Sequence, residues 1–180
     1  WAKENFEKEL GNIGPKTYEK VCELLLRLQA NYLAPAMHDA TTAFYKIPEN
    51  MRIADRYGIA IGSSHCEPLG LNTASEWDSK TMGDWDYVNN RAGVDRVLKE
   101  RVETSSPYEN VYTLALRGLH DRAMAGSEDL DARKATMQEA LLAQRQILTD
   151  VLGRPAEEIP QVFTPYKEVL DVYNRGLQLP

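Results

Sequence analysis

The chain has 180 residues, 43% of them hydrophobic and 27% charged, and a formal net charge of −6. That is enough material for one well-buried core in the ordinary single-domain range. The acidic balance, with no Lys/Arg-rich run, leaves no footprint for a phosphate backbone or an anionic membrane, and no apolar stretch approaches the roughly 20 residues that cross a bilayer.

The first residues, from Trp1 to Glu7, do not read as a signal peptide, so the natural start is expected elsewhere. At 17–28, Tyr18, Val21, Cys22, Leu25 and Leu28 repeat at helical spacing and predict an amphipathic helix. The apolar segment 30–37 predicts a strand that ends or bends near Pro35. Pro48 at a first helical position and Gly58 just past the end bracket a helix over 48–57. Ile59-Ala60-Ile61-Gly62 is too short for a helix and reads as a buried parallel strand.

A polar, aromatic loop follows to about Asn90, long enough to be either functional or disordered. Val94, Val97, Leu98 and Val102 then mark a helical face, and Val111-Tyr112-Thr113-Leu114-Ala115-Leu116 is rich in strand formers. Ser127-Glu128-Asp129 supplies caps for a helix whose face runs through Met137, Leu141, Leu148, Val151 and Leu152 and which stops at Gly153 and Pro155. A last apolar run, Ile159-Pro160-Gln161-Val162-Phe163, precedes a helix begun by Val169, Leu170 and Val172. Of the two cysteines, Cys22 falls on a helical face and Cys66 in a loop; a pairing between them is not expected, and their count says little about compartment.

Strands alternating with helices imply parallel βαβ units, and no G-x-G-x-x-G turn follows any strand, which argues against a dinucleotide-binding sheet. Each apolar run is followed directly by polar or charged residues, as at the active-site edge of a (β/α)8 TIM-type barrel. The expected fold is α/β: a segment of such a barrel with about four strand–helix units.

The post-strand clusters, in their order and spacing, resemble the signature blocks of glycoside hydrolase family 115. Residues 24–37 read L-L-L-R-L-Q-A-N-Y-L-A-P-A-M against the family's L-L-L-R-L-K-A-N-Y-L-W-P-A-M, and Pro48-Glu49-Asn50 with Ala54-Asp55-Arg56-Tyr57-Gly58-Ile59 resembles the next block. Ser64-His65-Cys66-Glu67-Pro68 is similar to S-H-x-E-P, Trp85-Asp86-Tyr87-Val88-Asn89 to W-x-Y-x-N, Arg117-Gly118-Leu119-His120-Asp121 to R-G-x-x-D, and Tyr166-Lys167-Glu168-Val169 to Y-K-E-V. Ala34 and His38 depart from it, standing where many members carry Trp.

The resemblance implies an inverting α-glucuronidase that removes α-1,2-linked (4-O-methyl)glucuronic acid from glucuronoxylan without a cofactor. It also implies a secreted or periplasmic location, set by the polymer substrate, and allows a homo-oligomer of the full-length protein. A whole barrel of this kind needs about 250 residues, so residues 1–180 are expected to be part of one catalytic barrel domain. Its flanking strands and domains would lie outside, and the segment alone would be inactive.

Glycoside hydrolysis needs one carboxyl to protonate the leaving oxygen and another to activate water. By resemblance Asp121 is the expected acid and Glu168 the expected base, with the order open to reversal. Arg117 is expected to bind the sugar carboxylate, because a planar guanidinium matches it in two-point contact; a salt bridge to Asp121 is the competing reading.

His65 and Glu67 are expected to bond sugar hydroxyls, Trp85 and Tyr87 to stack on sugar faces or anchor the loop, His120 to tune Asp121, and Tyr166 to contact substrate. No metal is expected, since His65-x-Glu67 has no third ligand nearby in sequence. Two rivals stand beside this reading. A noncatalytic carbohydrate-binding or structural barrel domain would not require Asp121, Glu168 and Arg117 to converge. A metal-dependent hydrolase would group His65, Glu67 and His120.

Overall fold

Short parallel strands alternate with longer helices throughout the computed structural model, which describes residues 1–126 and 129–180. A single helical turn, α1 (Ala2–Asn5), is followed by α2 (Pro15–Arg27), β1 (Tyr32–Leu33), α3 (Pro48–Arg56) and β2 (Ala60–Ile61). Two short helices, α4 (Thr73–Glu76) and α5 (Ser79–Met82), lead to α6 (Arg91–Ser105), β3 (Tyr112–Leu114), α7 (Leu130–Leu152), β4 (Gln161–Phe163) and α8 (Glu168–Asn174). The predicted order of strand then helix, four times over, is therefore present.

β1 pairs in parallel with β2, Tyr32 opposite Ala60, and β3 with β4, Tyr112 opposite Gln161. The Ile61 N–H donates to the Glu109 carbonyl and the Val111 N–H to the Ile61 carbonyl, both at 2.9 Å. This bridge links the two small sheets, so the four strands lie side by side in chain order. The arrangement is mixed α/β with strands of two or three residues; it is not a closed barrel.

Local sequence explains where the helices begin and end. Proline opens both α2 and α3, where its missing N–H has no helical partner to lose. α2 stops earlier than its apolar spacing predicts: Gln29 turns left-handed (φ 60°), and the Ala30 N–H returns to the Leu25 carbonyl at 2.9 Å, closing a Schellman turn. Leu28, expected on the buried face, is the C-cap residue within that turn and is 67% exposed. The predicted cap of α7 is half inside the described residues: Asp129 accepts from the Ala132 N–H, while Ser127 and Glu128 lie outside them. At the other end Gly153 takes the left-handed conformation (φ 66°) that a β-carbon would strain.

Apolar side chains gather in two groups. One lies among α6, α7, β3 and the 63–90 loop, centred on Val94, Leu98, Val102, Met137, Leu141 and Leu148. The other lies among α2, α3 and β2, centred on Tyr18, Cys22, Phe44, Ile53 and Ile59. Both cysteines are buried and unpaired.

Gln144 breaks the apolar face of α7 at a fully buried position. Its amide accepts from the Ala115 N–H at 3.0 Å and donates to the Ala115 carbonyl at 2.7 Å. The end of β3 is thus pinned to α7 by two bonds of the kind a neighbouring strand would supply. Replacing Gln144 by Leu keeps the volume and orphans both backbone groups, each costing about 1–3 kcal/mol. A loss of roughly 2–6 kcal/mol is expected, read as a lower urea midpoint of the full-length protein.

Candidate active site

Three strand ends deliver the side chains of interest. At the end of β3, Arg117 is held by its backbone: the Trp85 indole N–H donates to the Arg117 carbonyl at 2.7 Å. The chain then folds back sharply, the Gly118 N–H donating to the Arg122 carbonyl at 3.0 Å. A β-carbon at Gly118 would run into the Ala123 carbonyl, so the tight return that brings Asp121 over Arg117 needs glycine. After β4 the chain passes through Tyr166 and Lys167 to Glu168, the first residue of α8. The turn after β2 presents His65.

Arg117, 2% exposed, lies between the two carboxylates. Its Nε donates to Glu168 Oε1 at 3.0 Å and its Nη2 to Glu168 Oε2 at 2.8 Å, a two-point fork, while Nη1 donates to Asp121 Oδ1. His65 Nε2 meets Asp121 Oδ1 at 2.9 Å, and Lys167 Nζ donates to Asp121 Oδ2. The Tyr166 ring stands edge-on to His65 with centroids 4.4 Å apart, and Lys167 Nζ is 5.3 Å from the Tyr166 ring centre. Tyr166 and Lys167 are both more than 40% exposed, so they form the solvent-facing rim of the cluster.

Lys167 first, then His65, with Arg117 behind them, outweigh partial burial and hold the Asp121 carboxyl well below the usual carboxylate range. In this resting arrangement the contacts with Lys167, His65 and Arg117 favour the ionised carboxylate at Asp121. Arg117 forks onto Glu168 and reaches Asp121 with its remaining arm, so the Arg117–Asp121 salt bridge weighed against substrate binding is present, and a second bridge joins Arg117 to Glu168. The convergence of Arg117, Asp121 and Glu168, required by a catalytic reading, is present too.

The remaining sequence candidates separate. Glu67 is buried, accepting from the Ser64 N–H at 2.9 Å and from Asn72 Nδ2 at 3.0 Å. Trp85 and Tyr87 are buried in the core: Trp85 packs edge-on against Trp77, and the Tyr87 hydroxyl donates to Asp95 at 3.0 Å. These rings anchor the loop. The His120 ring meets the His38 ring at 5.5 Å, and its Nε2 is buried without a partner.

His65, Glu67 and His120 do not form a ligand set. Among the described residues the group whose donor atoms approach one another, within 4.8 Å, is His65, Cys66 and Asp121. There Asp121 already faces Lys167 and Arg117, and burial pushes the Cys66 thiol up, away from the thiolate a metal binds.

Lys167 stands in the Tyr166-Lys167-Glu168-Val169 block, and the sequence alone assigns it no role. Its position directly before Glu168 was the available signal. The residue before each carboxylate, His120 (φ 55°) and Lys167 (φ 52°), adopts the left-handed conformation that a side chain disfavours.

The model of glycosyl hydrolase family 115 matches residues 1–180. A solved structure described as a novel family GH115 4-O-methyl-α-glucuronidase, BtGH115A, with specificity for decorated arabinogalactans, is 42% identical with a TM-score of 0.94. The match covers 100% of this chain and 24% of that one, so the chain spans about a quarter of that protein's length. A search among curated proteins returned no match.

Removing Arg117 leaves two carboxylates facing each other with their shared cation gone. Arg117→Ala is expected to cost the full-length protein about 3–5 kcal/mol, the scale for breaking a buried ion pair, read from its denaturation midpoint. A carboxyl whose folded pKa is depressed adds stability above its unfolded pKa, about 3.9 for Asp, and loses it as pH falls below that value. Lys167→Met removes the leading cause of the depression at Asp121, so its stability is expected to fall less steeply than wild type between pH 5 and pH 2 (about the span over which such a carboxylate titrates). Paired urea titrations across that span provide the check.

Proposed function

We propose that this chain, which belongs to glycoside hydrolase family 115, supplies part of the active site of an α-glucuronidase acting on (4-O-methyl)glucuronic acid side chains of a plant polysaccharide. The observation that carries the reading is the single buried guanidinium holding Asp121 and Glu168 together at the ends of paired strands. A noncatalytic sugar-binding domain has no use for two converging carboxylates fixed in this way.

In the proposed reaction Asp121 and Glu168 divide the two roles: one takes a proton from water as the water oxygen attacks the anomeric carbon, and the other gives a proton to the departing glycosidic oxygen, inverting the configuration. Asp121 in its resting ion pairs holds a proton too weakly for either role, because a proton-transfer group works best with a pKa near the working pH. The proposed remedy is the substrate itself: its carboxylate meets the exposed ammonium of Lys167, draws it from Asp121 and raises the proton affinity of Asp121. The same added negative charge favours proton uptake at Glu168. Tyr166 offers the exposed ring face for the sugar, and no cofactor enters these steps.

The four parallel strands are proposed to be consecutive strands of one catalytic (β/α) barrel completed by the rest of the full-length protein. That protein is proposed to be secreted or periplasmic, where polysaccharide is met. Glucuronoxylan is the proposed polymer; the similarity to an arabinogalactan-acting relative makes decorated arabinogalactan the second substrate to assay.

The test is release of (4-O-methyl)glucuronic acid from both polymers by the full-length enzyme and by its Asp121→Ala and Glu168→Gln variants. Folded variants are expected to lose roughly 10²–10⁴-fold in kcat, the range for a proton-transfer group. A wild-type protein that binds either polymer without releasing the acid would overturn the enzymatic reading in favour of a binding domain.

A further inference from the structure

Glu67 is a buried carboxylate that the proposed reaction does not use. It lies in the 63–68 turn two residues after His65, 7% exposed, with both oxygens occupied by N–H donors. One donor is the Ser64 backbone, directly before His65, at 2.9 Å. The other is Asn72 Nδ2 at 3.0 Å, and the same amide donates to the Met37 carbonyl at 2.9 Å in the segment after β1. The turn is closed from its other side by the Ser63 hydroxyl, which donates to the Glu67 carbonyl at 2.9 Å. The result of these contacts is a ring of bonds around the one turn that aims His65 at Asp121.

We propose that Glu67 is a positioning residue for the reaction: it locks the turn after β2 to Asn72 and thereby holds His65 against Asp121. The inference rests on the catalytic reading of the Asp121 cluster. Two N–H bonds accepted on two different oxygens suit a carboxylate best. An amide must turn its NH2 toward Ser64 N–H or Asn72 Nδ2 and lose one of the two bonds, and a neutral acid offers its hydroxyl oxygen only as a weaker acceptor.

The setting of Glu67 opposes ionisation. Burial pushes it up to about 7, the bonds from Ser64 and Asn72 offset only part of this, and Glu76 adds to the rise. Tyr18 on α2, Tyr45 on the turn after β1 and Cys66 beside it are the other titratable groups that feel Glu67. The nearby cations Lys46 and Arg101 act on Glu76. The lock therefore closes as pH rises through neutrality. With its folded pKa raised, Glu67 favours the folded state most below its unfolded pKa of about 4.3. That contribution declines as pH rises to about 7, so the aim of His65 is gained at the expense of stability.

The test uses the full-length enzyme and its Glu67→Gln variant, with a 4-O-methylglucuronic acid-decorated xylo-oligosaccharide as substrate. Expected are a fall in kcat of about tenfold with KM within threefold of wild type, and loss of the rise in kcat through pH 7. Crystal structures of both proteins provide a readout independent of turnover: in the variant His65 Nε2 leaves Asp121 and the 63–68 turn shifts. An unshifted turn with His65 still bonded to Asp121, or an unchanged pH profile in an active variant, overturns the proposal. If the wild type fails to turn over the substrate, the catalytic reading fails by itself, and the paired crystal structures still decide whether Glu67 positions His65.

Discussion

One guanidinium organises this segment. Arg117 leaves β3 almost wholly buried, forks onto Glu168 at the start of α8 and reaches Asp121 with its third nitrogen. Burying such a charge is costly unless its hydrogen bonds are filled, and here the filling groups come from two different strand ends. The loops after β3 and β4 are therefore coupled electrostatically, at the place where the short β3–β4 ladder has already ended. Around that cation the other contacts fall into order: Trp85 holds its backbone, Gly118 permits the return of Asp121, and His65 and Lys167 complete the ring of donors.

Much of the fold was legible in the residues because helix and strand signals were local and agreed. The apolar periodicity of α2 and α6, proline at the start of α3 and Gly153 after α7 each mark an element that is present. The end of α2 was not legible, because its stop is made by Gln29, which carries none of the glycine signal that usually marks a left-handed residue. Gln144 was silent for a related reason. A polar residue on an apolar face declares its partner only when the facing strand end, Ala115, is known.

At the site, residue type located the cluster but did not assign the parts. Asp121, Glu168, Arg117, His65 and Tyr166 were all found in motif blocks, and they do meet. What sequence could not supply was the count of bonds per group. In this structure Arg117 has three nitrogens on Glu168 and Asp121, and Glu67 has its two oxygens on Ser64 and Asn72, contacts that no motif block announces. Trp85 and Tyr87 show the same limit for aromatics: a ring that stacks on a sugar and one that pins a loop have the same composition, and burial alone distinguishes them.

The left-handed residues that precede the two carboxylates have a consequence for how the site tolerates change. A glycine would adopt either conformation with less strain, yet the chain carries His120 and Lys167 there. Glycine would also widen the range of directions open to the next side chain. The backbone at these two points works like a sprung hinge held at its stop, at the spot where a slight rotation would swing a carboxylate away from Arg117. Substitutions chosen only to relax the backbone would therefore be expected to make the protein easier to fold and its carboxylates harder to aim.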